Sequence, residues 1–121
     1  MKIAVTGGCG FIGSALIRHL IDDLGHNVLN IDKLTYAANL AAVADIASSP
    51  RYRFARADIL DREAIDALFE DFQPDALYHL AAESHVDRSI SGPEVFVETN
   101  VMGTQRLISA VRHYLSARTD M

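Results

Sequence analysis

The chain is poor in the features that define several protein classes. Its 121 residues hold one cysteine, Cys9, so no intrachain disulfide can form and a disulfide-stapled scaffold is excluded. That usage fits a reducing compartment, and we expect a cytoplasmic protein. Tryptophan is absent and only three prolines occur, with no proline-rich or low-complexity linker between them. Basic residues are outnumbered, 11 against 16 acidic, for a formal net charge of −5. The most basic stretch, Arg51 to Arg56, is interrupted by Tyr52, Phe54 and Ala55. Nothing there can neutralise a run of phosphates, which argues against a nucleic-acid partner. No apolar stretch reaches the roughly 18 residues of a membrane span, so no membrane partner is expected. The start, Met1-Lys2-Ile3-Ala4-Val5, passes straight into glycines without the long apolar region of a signal peptide.

What is present is an alternation of short β-rich runs and helical patterns. Half the residues are hydrophobic, enough for a packed core. Lys2–Thr6 reads as a strand buried on both faces. Phe11–Leu24 carries Ile12, Leu16, Leu20 and Leu24 at helical spacing, with Gly25 as its stop. Asn27–Ile31 is a second strand that ends at Asp32, residues 39–47 a short helix, and Tyr52–Arg56 a third strand. Asp61 can cap a helix running to Phe72, with Glu63 near its positive end and Pro74 beyond it. Ala76–Leu80 is the fourth strand. Ser91 and Glu94 form a capping-box pattern around Pro93, and the helix that follows runs to about Ser116.

A βαβαβαβα order implies an α/β fold with a parallel sheet and right-handed crossovers. The doubly wound, Rossmann-type arrangement would order these strands 3-2-1-4 and put a ligand at the switch point beside strands 1 and 4. Such a sheet is incomplete. We expect residues 1–121 to be the N-terminal part of a dinucleotide-binding domain, with the catalytic and substrate-binding remainder elsewhere.

Chemistry is concentrated at the C-terminal ends of the strands. Gly7, Gly10 and Gly13 give G-x-x-G-x-x-G between the first strand and the first helix. Gly7 permits the tight turn, Gly10 lets backbone approach a pyrophosphate, and Gly13 allows close packing. The helix-start amides then face the phosphates. No Gly-Lys-Ser/Thr follows, which excludes a P-loop. Asp32 ends the second strand, 19 residues after Gly13. A carboxylate there accepts from the ribose hydroxyls and repels a 2′-phosphate, favouring NAD over NADP, although Lys33 beside it works the other way. Asp58-Ile59 after the third strand suits an adenine edge and face, and by spacing suits a capping aspartate equally well.

After the fourth strand, the small residues Ala81 and Ala82 would let a cofactor lie against backbone, and Glu83 to Arg88 supply a polar cluster. His85 there fits a general base and, as well or better, a loop-ordering contact with neighbouring carboxylates. No metal is expected, since His19, His26, His79 and His113 lack ligand spacing with it. Cys9 reads as a small residue inside the turn.

These segments resemble the extended short-chain dehydrogenase/reductase family, and within it the sugar-nucleotide dehydratases. Val5 to Ser14, Asp32 to Leu40, Asp58-Ile59, His79 to Ile90, Glu98-Thr99-Asn100 and Gly103-Thr104 carry the likeness. Two departures stand out: Cys9 where the family usually has alanine, and Ala38 where it usually has glycine. The resemblance implies NAD as cofactor, with Phe11 and Ile12 at the pyrophosphate and Asp32, Lys33, Leu34 and Thr35 around the adenosine ribose. Asp58 and Ile59 would hold the adenine, and Leu80, Ala81, Ala82, Ser84 and Thr99 would line the rest. Ser84 would also touch the substrate, a sugar nucleotide for which dTDP-glucose is implied. The implied reaction is an internal hydride transfer with elimination of water.

That chemistry needs Tyr-x-x-x-Lys and Thr-Asp-Glu. The residues four beyond Tyr36, Tyr52, Tyr78 and Tyr114 are Leu40, Arg56, Ala82 and Arg118, and no Thr-Asp-Glu occurs. We therefore expect no catalytic residue in this chain and no turnover from it alone. An epimerase, a reductase, another dehydratase, and a regulator that binds nucleotide without catalysis are the alternatives.

The final helix carries two apolar stripes. One holds Val97, Val101, Ile108, Val111 and Leu115, the other Phe96, Gly103, Leu107, Ala110 and Tyr114. Together they are wider than packing on one sheet requires. The family pairs through helices in this position. We expect a homodimer through helix 93–116, with the second stripe at the interface.

Overall fold

The computed structural model describes residues 1–34, 40–81, 94 and 97–119. Four strands form one sheet: β1 (Lys2–Thr6), β2 (Asn27–Asp32), β3 (Tyr52–Arg56) and β4 (Ala76–His79). Their order is β3-β2-β1-β4 and every pairing is parallel, the half-sheet expected of a Rossmann fold. The chain divides into two compact units. The first comprises Met1–Ala57 and Phe72–Leu80, the second Asp58–Asp71 and Ala81–Met121.

In the first unit, α1 (Phe11–Arg18) follows β1 and continues into a wider, π-wound turn at His19–Asp23. A single α-helix was expected to Leu24. Instead Leu24 N donates to His19 O and His26 N to Leu20 O, a looser winding that ends at Gly25 as expected. Ile17, Leu20 and Ile21 of this segment pack on Ile3, Val5 and Val28 of the sheet, with Val43 and Ile46 completing the cluster. The expected helix over 39–47 is a 3-10 turn at Leu40–Val43, seamed to α1 by Arg18 Nη1 donating to Ala42 O at 2.6 Å. β1 and β2 are buried along nearly their whole length, which explains the nearly continuous apolar run of β1.

In the second unit, α2 (Arg62–Phe72) starts at Asp61, whose Oδ1 accepts from Ala64 N at 3.2 Å, the cap expected there. Its last residue, Phe72, already belongs to the first unit. Gln73 then adopts a left-handed φ of 55° ahead of Pro74, closing the helix. A π-wound turn at Glu98–Gly103 leads into α3 (Thr104–Thr119). The proposed helix start at Ser91–Pro93 lies outside the described residues.

Here the expectation for the final helix is corrected. Leu107 and Ala110 are buried, at 2% and 0% exposure. The Tyr114 ring meets Phe69 of α2 at 5.7 Å between centroids, and Gly103 lies against Ile59. Leu107 and Ala110 of the second stripe are therefore already covered within the chain and are not open to a subunit partner. The first stripe is the open one: Val97, Val101, Ile108 and Leu115 are about half exposed or more.

Candidate nucleotide-binding site

The glycine loop joins β1 to α1. Gly7 has φ 74°, a conformation that favours glycine. Its amide donates to Ile31 O at 2.8 Å and its carbonyl accepts from Gly10 N at 3.2 Å, which closes the turn. A Cβ on Gly13 would overlap the Gly7 carbonyl oxygen and the Gly8 Cα, so the first turn of α1 presses directly on the loop. The close packing assigned to Gly13 is thus against loop backbone. A Cβ on Gly10 would meet only Gly7 O, at 3.4 Å, and otherwise open space.

The first intrahelical bond of α1 is Ser14 N to Gly10 O at 2.9 Å. The amides of Phe11, Ile12 and Gly13 consequently have no helical acceptor. No acidic residue sits in that turn, and the helix dipole leaves it positive. Phe11 is 92% and Ile12 69% exposed, so nothing among the described residues covers these two side chains at the helix start.

Asp32 stands at the end of β2 with 7% exposure. Oδ2 accepts from Cys9 N at 2.9 Å and Oδ1 from Leu34 N at 2.8 Å. A carboxylate has about four acceptor positions, so about one per oxygen is left for a ligand hydroxyl. Leu34 holds a left-handed φ of 60°, unusual for a non-glycine residue, and packs partly into the core. Lys33 is half-buried beside it. Thr35 lies outside the described residues, as do Ala82, Ser84 and His85.

Beneath the loop is a polar cluster that the sequence reading passed over. Asn30 is fully buried; its Nδ2 donates to Tyr52 Oη at 3.0 Å and to Cys9 Sγ at 3.3 Å. Burial pushes the Cys9 thiol up from its ordinary range, outweighing the Asn30 hydrogen bond, and the Asp32 charge adds to the rise. Burial likewise raises Tyr52. On the other side, buried Thr6 receives Leu80 N at 3.1 Å and lies 2.7 Å from His79 Nδ1. Burial holds His79 below its ordinary value. Leu80 is 36% exposed, with half-buried Ala81 following it. A polar residue inside an otherwise apolar strand run was the available signal for Thr6 and Asn30.

In the second unit, Asp58 Oδ1 accepts from Leu60 N at 3.0 Å and Asp58 O from Asp61 N at 2.9 Å, a turn that leads into the α2 cap. Ile59 is buried against Gly103, so what it offers a ligand is its backbone. Thr99 lies in the π-wound turn. Among the described residues no group of three metal-ligating side chains occurs. No helix of the described residues is long and apolar enough to cross a membrane.

A parallel half-sheet with a glycine turn, open helix-start amides and a carboxylate ending β2 defines a nucleotide-binding Rossmann unit. Residues 4–120 match the family model described as GDP-mannose 4,6 dehydratase, and the chain belongs to that family. It is 58% identical over 120 residues to a dTDP-glucose 4,6-dehydratase of Shigella flexneri, covering 99% of this chain and 33% of that protein. A dTDP-glucose 4,6-dehydratase of Escherichia coli K12 is 57% identical over 117 residues, 97% of this chain and 32% of that one. The chain thus spans about a third of the length of the curated relatives it matches. Among solved structures it superposes on DesIV, a dTDP-glucose 4,6-dehydratase of Streptomyces venezuelae with NAD and TYD bound. The TM-score is 0.86 at 45% identity, over 91% of this chain and 35% of that one. A UDP-glucose 4-epimerase of Thermotoga maritima with UDP-glucose gives a TM-score of 0.84 at 31% identity, over 94% and 35%.

Proposed function

We propose that this chain is the NAD-binding part of a sugar-nucleotide 4,6-dehydratase acting on dTDP-glucose. The observation that carries the reading is Asp32, a nearly buried carboxylate at the end of β2 hydrogen-bonded to the glycine loop. It marks where an adenosine ribose would lie and repels a 2′-phosphate, favouring NAD over NADP. The relatives and the NAD-bound DesIV structure support the same assignment.

The amides of Phe11, Ile12 and Gly13 would hold the pyrophosphate, with Gly7 and Gly10 keeping side chains out of its way. Asp32 would hold the adenosine ribose, with Lys33, Leu34 and Thr35 around it. Asp58 and the Ile59 backbone would hold the adenine. Leu80, Ala81, Ala82, Ser84 and Thr99 would line the remainder, with Ser84 also at the sugar nucleotide. NAD, when bound, supplies hydride acceptance from C4 of the glucose unit and hydride return to C6 after loss of water. Proton transfer in that reaction requires a Tyr-x-x-x-Lys pair, which this sequence lacks. Residues 1–121 are thus the cofactor half of the machinery, acting with a catalytic and substrate-binding remainder.

We assign the full-length protein to the cytoplasm, in keeping with a lone reduced cysteine. We assign it a homodimeric state through the open stripe Val97, Val101, Ile108 and Leu115, an apolar row left exposed on this chain.

The test is titration calorimetry and product analysis on the full-length protein. NAD should bind in preference to NADP, and dTDP-glucose should yield its 4-keto-6-deoxy product. The present chain alone should give none. Preference for NADP, or turnover of UDP-glucose to its 4-epimer instead, would overturn the reading.

A further inference from the structure

Two of the bonds that hold the glycine loop run to the end of β2. One is backbone to backbone, Gly7 N to Ile31 O at 2.8 Å. The other uses a side chain, Asp32 Oδ2 accepting from Cys9 N at 2.9 Å in buried surroundings. The same carboxylate, through Oδ1, accepts from Leu34 N at 2.8 Å and so holds a leucine in a left-handed backbone conformation. One side chain therefore ties two chain segments, and each of its oxygens carries one of the ties. Remove the carboxylate and two amides lose their acceptor, one of them inside the phosphate loop.

We infer that Asp32 is a positioning residue for the pyrophosphate loop as well as a ribose acceptor, so that NAD selectivity and loop shape are set by the same carboxylate. This rests on the NAD-binding reading above and deepens it. The consequence concerns specificity. Replacing the acidic residue that ends β2 is the obvious route to accepting a 2′-phosphate. In this protein the replacement also releases Cys9 N and Leu34 N. The loop keeps its backbone bond from Gly7 N to Ile31 O but loses the tie at Cys9, and the gain at the 2′ position is offset by loss at the pyrophosphate. A single substitution at Asp32 should not produce an NADP-binding protein.

The roles separate with two ligands and a measurement made without either. Adenosine carries the ribose and no phosphate; NAD carries both. In the full-length protein, Asp32→Ala should weaken NAD by about tenfold more than it weakens adenosine, since a lost loop tie acts only through the phosphates. NADP should not gain. Ligand-free amide exchange should quicken at Cys9 and Leu34 and not in β3. Should Asp32→Ala fail to fold, Asp32→Asn replaces two acceptors with one acceptor and one donor. Exchange should then quicken at one of the two amides only.

Equal losses of adenosine and NAD with unchanged exchange would overturn the brace and leave the ribose role intact. So would a single Asp32 substitution that switches preference to NADP. If the unsubstituted protein binds no NAD and exchange still quickens in the variants, the brace stands and the proposed function falls.

Discussion

Thr6 and His79 join β1 to β4 through a 2.7 Å contact between Oγ1 and Nδ1, at the sheet edge where the glycine loop begins. Thr6 Oγ1 also accepts from Leu80 N, so the hydroxyl fixes the chain as it leaves β4. Burial holds His79 below its ordinary value near 6.5. The sign of the pH effect follows from that direction. Below about pH 6.5 the unfolded chain takes up a proton at this histidine that the folded chain does not. The histidine's contribution is therefore present in full above that pH and is lost as pH falls through the folded value. Urea midpoints should fall between pH 7.5 and pH 5.5 more steeply in the native sequence than in His79→Gln. Parallel slopes in the two proteins would remove His79 from the account.

The two glycines that flank the helix start should separate fold from ligand. At Gly13 a methyl group would run into Gly7 and Gly8 backbone, which cannot swing aside as a side chain can. Gly13→Ala should cost about 1–3 kcal/mol of stability, the range for forced overpacking. At Gly10 a Cβ meets open space apart from Gly7 O, so Gly10→Ala should leave thermal stability within about 0.5 kcal/mol. It should still weaken NAD, because the methyl group occupies the approach to the phosphates. Thermal scans with and without NAD read both effects. Equal losses of stability in the two variants would contradict the packing described.

Cys9 is 1% exposed, its thiol is pushed up by burial, and Asn30 donates to its sulfur. Thiolate, the reactive form, is therefore scarce. A thiol reagent should label native protein at Cys9 no faster than global or local opening exposes it, and label it fully in urea. Cys9→Ala, the residue usual in the resembled family, should preserve NAD binding, since the Asp32 contact uses only the Cys9 backbone amide. Loss of NAD binding in that variant would assign the sulfur a role that this geometry does not give it.

The sheet was legible because the buried strand β1 shows as an apolar run, and four short β-rich runs alternating with helical spacing leave few topologies. Gly7, Gly13 and Asp32 were legible because their backbone or charge requirements fix the residue type. The π-wound turns were not, because a shift from i−4 to i−5 bonding, as at Leu24, leaves no compositional mark. Asn30 and Thr6 were overlooked inside apolar strands, although a polar residue there must find partners. The stripes of the last helix were identified correctly as a pair. The second stripe was expected at a subunit contact, and the burial of Leu107 and Ala110 reverses that expectation, since a helical wheel gives the width of an apolar face and not which neighbour covers which part.

That reversal yields a last prediction. Leu107 is 2% exposed and Ala110 fully buried, while Tyr114 of the same stripe packs on Phe69. A carboxylate at position 107 would be buried without a partner. Leu107→Glu should therefore destabilise the folded chain itself, by about 3 kcal/mol or more, rather than divide an intact dimer. Val101 and Ile108 are 61% and 56% exposed, so Val101→Glu and Ile108→Glu put their charge into solvent on the isolated chain. Neither should alter its unfolding midpoint by more than about 0.5 kcal/mol. In the full-length protein the same two changes should lower the sedimenting mass from dimer to monomer with secondary structure retained. A monomeric unmodified protein would rule out the subunit role for this stripe. Soluble, folded Leu107→Glu with an unchanged midpoint would contradict the burial of the other.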